Sequence, residues 1–87
     1  MYDKKHLELI LEEFTPLHVH ALEKGDYELF GAIIRIEDML RDMALKATTA
    51  EELQVACNTV LTAWVKTYDK VYDRIGSPKN GYLLMSY

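Results

Sequence analysis

One cysteine is too few for an intrachain disulfide. Cys57 stands alone in 87 residues, a usage that fits a reducing cytosol. No apolar run approaches the roughly 20 residues that a membrane-spanning helix needs. The opening segment, MYDKKHLELILEEF, carries acidic residues inside its apolar stretch, which is not the composition of a secretory signal. Basic residues are also in short supply, with ten Lys and Arg against fourteen Asp and Glu and a formal charge of −4. That balance speaks against sequence-independent binding to phosphate backbones, which depends on Lys and Arg displacing counterions. There are no repeats, low-complexity tracts or linkers. Gly-rich phosphate loops, paired Cys-x-x-Cys motifs and Gly-x-Ser-x-Gly elbows are absent, which removes the commonest sequence signatures of nucleotide, redox and acyl-transfer chemistry.

What the chain does have is apolar material at helical spacing. Its hydrophobic fraction of 49% excludes a disordered chain, and its length sets one domain over residues 1–87, with a modest core and no room for a deep enclosed pocket. In residues 26–47, Leu29, Ile33, Ile36, Leu40, Met43 and Ala47 recur at alternating steps of four and three. That spacing draws one apolar seam along a helix, which must be buried against other helices. Phe30, Ile34 and Leu45 widen the seam, so this helix is expected to touch two neighbours. A second seam runs from Leu53 through Ala56, Cys57, Val60, Leu61, Trp64, Tyr68, Val71 and Tyr72 to Ile75.

Helix boundaries follow from local chemistry. The first helix begins near Asp3 and places Leu7, Ile10, Leu11, Phe14 and Leu17 on its apolar side. Pro16 lacks an N–H and crowds the preceding turn, so the helix kinks there or restarts with Thr15 as N-cap and Pro16 as first residue. Gly25 ends it, and Asp26 caps the next helix through its carboxylate. Thr49-Ala50-Glu51-Glu52 has the form of a capping box for the third helix, which Gly76 and Ser77-Pro78 terminate. Its last turns, around Val71, Tyr72 and Ile75, need a cover from the N-terminal half of the first helix, from the tail or from another subunit. The expectation is an all-α, three-helix antiparallel bundle with its first helix kinked or broken at Pro16, a core over residues 3–76 and an apolar tail over residues 77–87.

Several residues invite a chemical reading. His18 and His20 are two apart, a spacing that chelates a metal from a strand but points the rings about 200° apart on a helix; structural histidines are expected instead. Glu12/Glu13, Glu37/Asp38 and Asp42 would suit a magnesium site only if they projected inward from adjacent helices. Glu37 precedes Arg41 by four residues, the arrangement of a surface ion pair. Cys57 reads as a small buried hydrophobe. No metal and no cofactor is therefore expected.

The aromatic residues carry more weight. Trp64, Tyr68 and Tyr72 fall four apart on the third helix beside Lys66, Lys70 and Arg74, and Tyr82 and Tyr87 lie in the tail. Interfaces favour Tyr, Trp and Arg, which bury much area and keep a polar handle. The expected interface is Tyr68, Tyr72 and Ile75 with Tyr82, Leu83, Leu84, Met85 and Tyr87 of the tail, where an apolar segment left exposed would be an aggregation hazard. Glu8, Glu12, Glu13 and Glu23 form a candidate acidic face for a basic partner. The function expected from this is a non-catalytic, cytoplasmic protein-binding module, a small acidic inhibitor or adaptor that occludes a partner protein's surface. Phage host-takeover, anti-defence and immunity proteins supply the analogy. A homo-oligomer, with a dimer favoured, is expected as well. The alternatives are a small metal- or nucleotide-dependent helical enzyme or ligand-binding protein, and a purely structural homo-oligomer.

Overall fold

The computed structural model describes residues 3–76. Four helical segments occur: α1 (Lys4–Glu12), α2 (Thr15–Glu23), α3 (Tyr27–Lys46) and α4 (Ala50–Ile75). No strand occurs among the described residues. α1 and α2 together form one bent limb, so the architecture is the expected all-α bundle of three helical limbs. Three contacts establish its direction. Lys4 Nζ donates to the Leu45 carbonyl at 3.3 Å, which sets the start of α1 beside the end of α3. Arg74 grips Asp26, and His20 lies against the Gly76 carbonyl, so the end of α4 meets both the end of α2 and the start of α3. α3 therefore runs antiparallel to both other limbs.

Each boundary has a chemical cause. The Asp3 carboxylate accepts from the His6 amide at 2.8 Å and starts α1. Gly25 takes a positive φ of 75°, and its N–H bonds Leu22 while the Asp26 N–H bonds Ala21. This paired arrangement closes α2 as a Schellman motif, at a backbone conformation costly to any residue with a Cβ. Asp26 then accepts from the Leu29 amide to open α3. The capping box at Thr49 and Glu52 is complete, with both reciprocal bonds made at 3.0–3.1 Å. Thr48 adds backbone and hydroxyl bonds to the same Glu52 carboxylate, and these hold it below the ordinary glutamate range.

The break in the first limb is tighter than Pro16 alone requires. Glu13 and Phe14 form a turn in which Leu17 donates to Phe14 instead of reaching back to Glu13. Phe14, not Thr15, occupies the N-cap position of α2, and Pro16 sits one residue further in than expected. The turn releases the Glu13 carbonyl from the helical ladder. Trp64 Nε1 donates to it at 2.9 Å from α4, so a partly buried acceptor orphaned by the bend is satisfied by the largest side chain of the core.

The core is continuous through all four segments. Leu7, Ile10, Leu11, Phe14, Leu17 and Ala21 enter it from the first limb, and Ala56, Cys57, Val60, Trp64 and Val71 from α4. Two expectations about α3 need correction. Its buried stripe is Leu29, Ile33, Glu37, Leu40 and Ala44, whereas Ile36 and Met43 are only partly buried. Leu45 does not widen the seam; it is 76% exposed. The cover over the last turns of α4 is also not the N-terminal half of the first limb. α2, its C-terminal half, packs there, and Val71 is fully enclosed.

Candidate functional site

The buried stripe of α3 carries a carboxylate where an apolar side chain would be ordinary. Glu37 is 1% exposed. Its Oε2 lies 2.5 Å from His18 Nδ1 of α2, and its Oε1 has no hydrogen-bond partner. The Arg41 guanidinium approaches that second oxygen at 3.6 Å from one turn on, too long for a good hydrogen bond and close enough for charge compensation. Phe30 meets the His18 ring edge-on, with centroids 5.6 Å apart. The surface ion pair expected of Glu37 and Arg41 is thus corrected. Arg41 is half exposed, but its partner is buried, and the principal contact of Glu37 is His18 across the α2–α3 interface.

His20 turns the other way. It is buried, and its Nε2 stands 3.1 Å from the Gly76 carbonyl, one of the orphaned acceptors at the end of α4. The two histidines thus serve different interfaces. No group of three or more His, Cys, Asp or Glu side chains converges among the described residues. Glu12, Asp38 and Asp42 are exposed, and Glu13 is only partly covered, so Glu37 alone of the acidic helix pairs points inward. Cys57 is fully enclosed, and burial pushes its thiol upward, away from the thiolate that nucleophilic chemistry needs.

Of the four glutamates of the candidate acidic face, Glu8 and Glu12 share one cleft of about 320 Å³ between α1 and α3, where Lys4 and Arg41 supply opposite charge. Glu13 belongs to the turn whose carbonyl faces Trp64. Glu23 is the last residue of α2, at the far end of the limb. At that same end Arg74 clamps Asp26 through two bonds of 2.8 Å, holding its carboxyl below the usual aspartate range. Glu28 stands 3.9 Å from the same guanidinium.

The aromatic residues do come together. Trp64 and Tyr68 stack with centroids 5.3 Å apart, and Tyr68 and Tyr72 follow at 6.5 Å. Trp64 is core, Tyr68 and Ile75 are partly covered, and Tyr72 is 55% exposed. Leu61, Val65, Tyr68 and Tyr72 therefore draw an apolar stripe at steps of four, three and four along one flank of α4, with Val65 53% exposed. Tyr82, Leu83, Leu84, Met85 and Tyr87, the remainder of the expected interface, lie outside the described residues. Sequence spacing located the aromatic stack. It missed the flank residue Val65 and the buried Glu37, although Glu37 is separated from Ile33 by one four-residue helical step.

No helix among the described residues is long and apolar enough to cross a membrane. No protein-family model matches the chain, nor does any curated protein or solved structure.

Proposed function

We propose that this chain is a protein-binding module, a small acidic inhibitor or adaptor that engages its partner through the outer flank of α4 and acts by occlusion. The observation that carries this reading is the stripe of Leu61, Val65, Tyr68 and Tyr72, whose spacing is that of a helix–helix contact and of which Val65 and Tyr72 are more than half exposed. The aromatic stack supports it further. A tyrosine already held against two rings loses little rotamer freedom on binding, so more of its contact energy remains for the complex. The formal charge of −4 would speed encounter with a basic partner, because complementary charge acts chiefly on the association rate.

The test pairs a flank variant with a control. Val65→Lys/Tyr72→Lys places two charges on the stripe, while Leu45→Lys places one on a still more exposed apolar site of α3. All three proteins are expected to melt alike, since exposed substitutions change stability by only about 0.5 kcal/mol. The native chain and Leu45→Lys should capture the same protein from cell extract, and the double variant should lose it. Light scattering separates a second copy of the chain from a foreign partner. Undiminished capture by the double variant would remove α4 from the interface.

A further inference from the structure

The His18–Glu37 pair has a free end. Nδ1 is committed to the buried carboxylate. Nε2 has no partner among the described residues, and it is not among the buried atoms left without one. The ring is 20% exposed, so that nitrogen opens to solvent. A carboxylate on Nδ1 fixes the neutral ring as the Nδ1–H tautomer, leaves the lone pair on Nε2, and stabilises positive charge that develops on the ring when Nε2 attacks an electrophile. We propose that His18 is a phosphoryl-accepting histidine, modified at Nε2 by an activated phosphoryl donor such as a phosphoramidate or an acyl phosphate.

Other uses of the same nitrogen fit the surroundings less well. A metal needs further ligands at Nε2, but the oxygens of Glu37 face Nδ1 and Arg41, and among the described residues no other His, Cys, Asp or Glu completes a group. A general base needs a substrate held against it, and His18 lines neither the cleft between α1 and α3, nor that between α3 and α4 at Met43 and Ala56, nor that at Asn58 and Lys66. Covalent acceptance needs only an accessible nucleophile with its charge compensated. Arg41, half exposed and 3.6 Å from the same carboxylate, adds positive charge on the Nδ1 side of the pair.

The step balances with phosphoramidate as donor. The Nε2 lone pair forms a bond to phosphorus, the donor's P–N bond breaks, and the zwitterionic donor releases neutral ammonia without a separate acid. The ring becomes a cation that keeps its Nδ1 proton on Glu37, so the new positive charge faces a carboxylate already in place.

Three histidines in one chain give an internal comparison. His6 lies on the exposed side of α1, and His20 is buried with Nε2 on a carbonyl. The folded chain is treated with phosphoramidate, and the modified residue and ring nitrogen are assigned by mass spectrometry and phosphorus NMR, with a parallel sample in urea. His18 should carry the phosphoryl group on Nε2 alone and react about tenfold faster than His6, a modest factor beside the roughly 10²–10⁴ that positioned acid–base partners supply. Urea should abolish both the preference and the single regioisomer. Glu37→Gln should slow His18 and leave His6 unchanged; if that variant does not fold, the folded and unfolded native samples still decide. A folded chain whose His18 stays unmodified, reacts at Nδ1, or matches His6 in rate would overturn the assignment.

Discussion

Removing His18 should harm this protein far more than removing the carboxylate it contacts. In His18→Leu, Glu37 keeps its 2% side-chain exposure and an Arg41 nitrogen at 3.6 Å, but loses the bond to Oε2. Breaking a buried pair from one side typically costs about 3–5 kcal/mol, because the remaining polar group stays buried without its hydrogen-bond partner. Against the about 4–13 kcal/mol of total stability expected for a domain of this size, that is a large share. At about 4–8 °C per kcal/mol, the melting midpoint should fall by roughly 12–40 °C. Glu37→Leu is different. The imidazole left behind is 20% exposed and can turn its donor toward water. The orphaned donor costs at most about 1–3 kcal/mol, and the new apolar side chain recovers roughly 1.5–3 kcal/mol through burial. The double variant, with leucine at both positions, should equal or exceed the native chain, since apolar replacement of a buried pair is neutral or stabilising by about 1–4 kcal/mol. Urea unfolding followed by circular dichroism gives all four free energies. The expected order has His18→Leu lowest by a clear margin and a coupling energy above about 2 kcal/mol, toward the upper end for residues in contact. Equal losses for the two single variants, or additive behaviour in the double, would refute the claim that Glu37 is a buried carboxyl group held by His18.

Two further outcomes follow from the capping and bending contacts. Trp64→Phe should cost about 2–4 kcal/mol, combining an orphaned Glu13 carbonyl at about 1–3 kcal/mol with lost ring volume; a loss under about 1 kcal/mol in denaturant titration would mean that water satisfies that carbonyl. Asp26 is held below its ordinary 3.8, first by its hydrogen bonds to Arg74. A depressed carboxylate stabilises the fold above its unfolded value, and that contribution fades as pH falls through the folded one. Stability should therefore drop more steeply below about pH 4 in the native chain than in Arg74→Leu, and parallel curves in urea unfolding at stepped pH would count against the clamp.

The all-α class, the break near Pro16 and three of the caps were legible in the chain itself, because each depends on residues within four positions of one another. Asp3, Asp26 and the Thr49–Glu52 box bond their own first turns; Gly25 supplies the positive φ at a helix end. Apolar spacing likewise revealed which side of α4 turns inward. The strict four-three alternation misjudged α3, choosing Ile36 and Met43 over Glu37 and Ala44. A straight helix turns every 3.6 residues, so its buried line drifts away from a heptad seam over twenty residues. Tertiary contact decided the rest. Glu37 can lie inside only because α2 brings His18 over it, nineteen residues away in sequence. Trp64 ends at Glu13 only because the turn frees a carbonyl, fifty-one residues back. Burying a charge or an orphaned acceptor depends on a partner from another helix, and no local pattern encodes where that partner arrives.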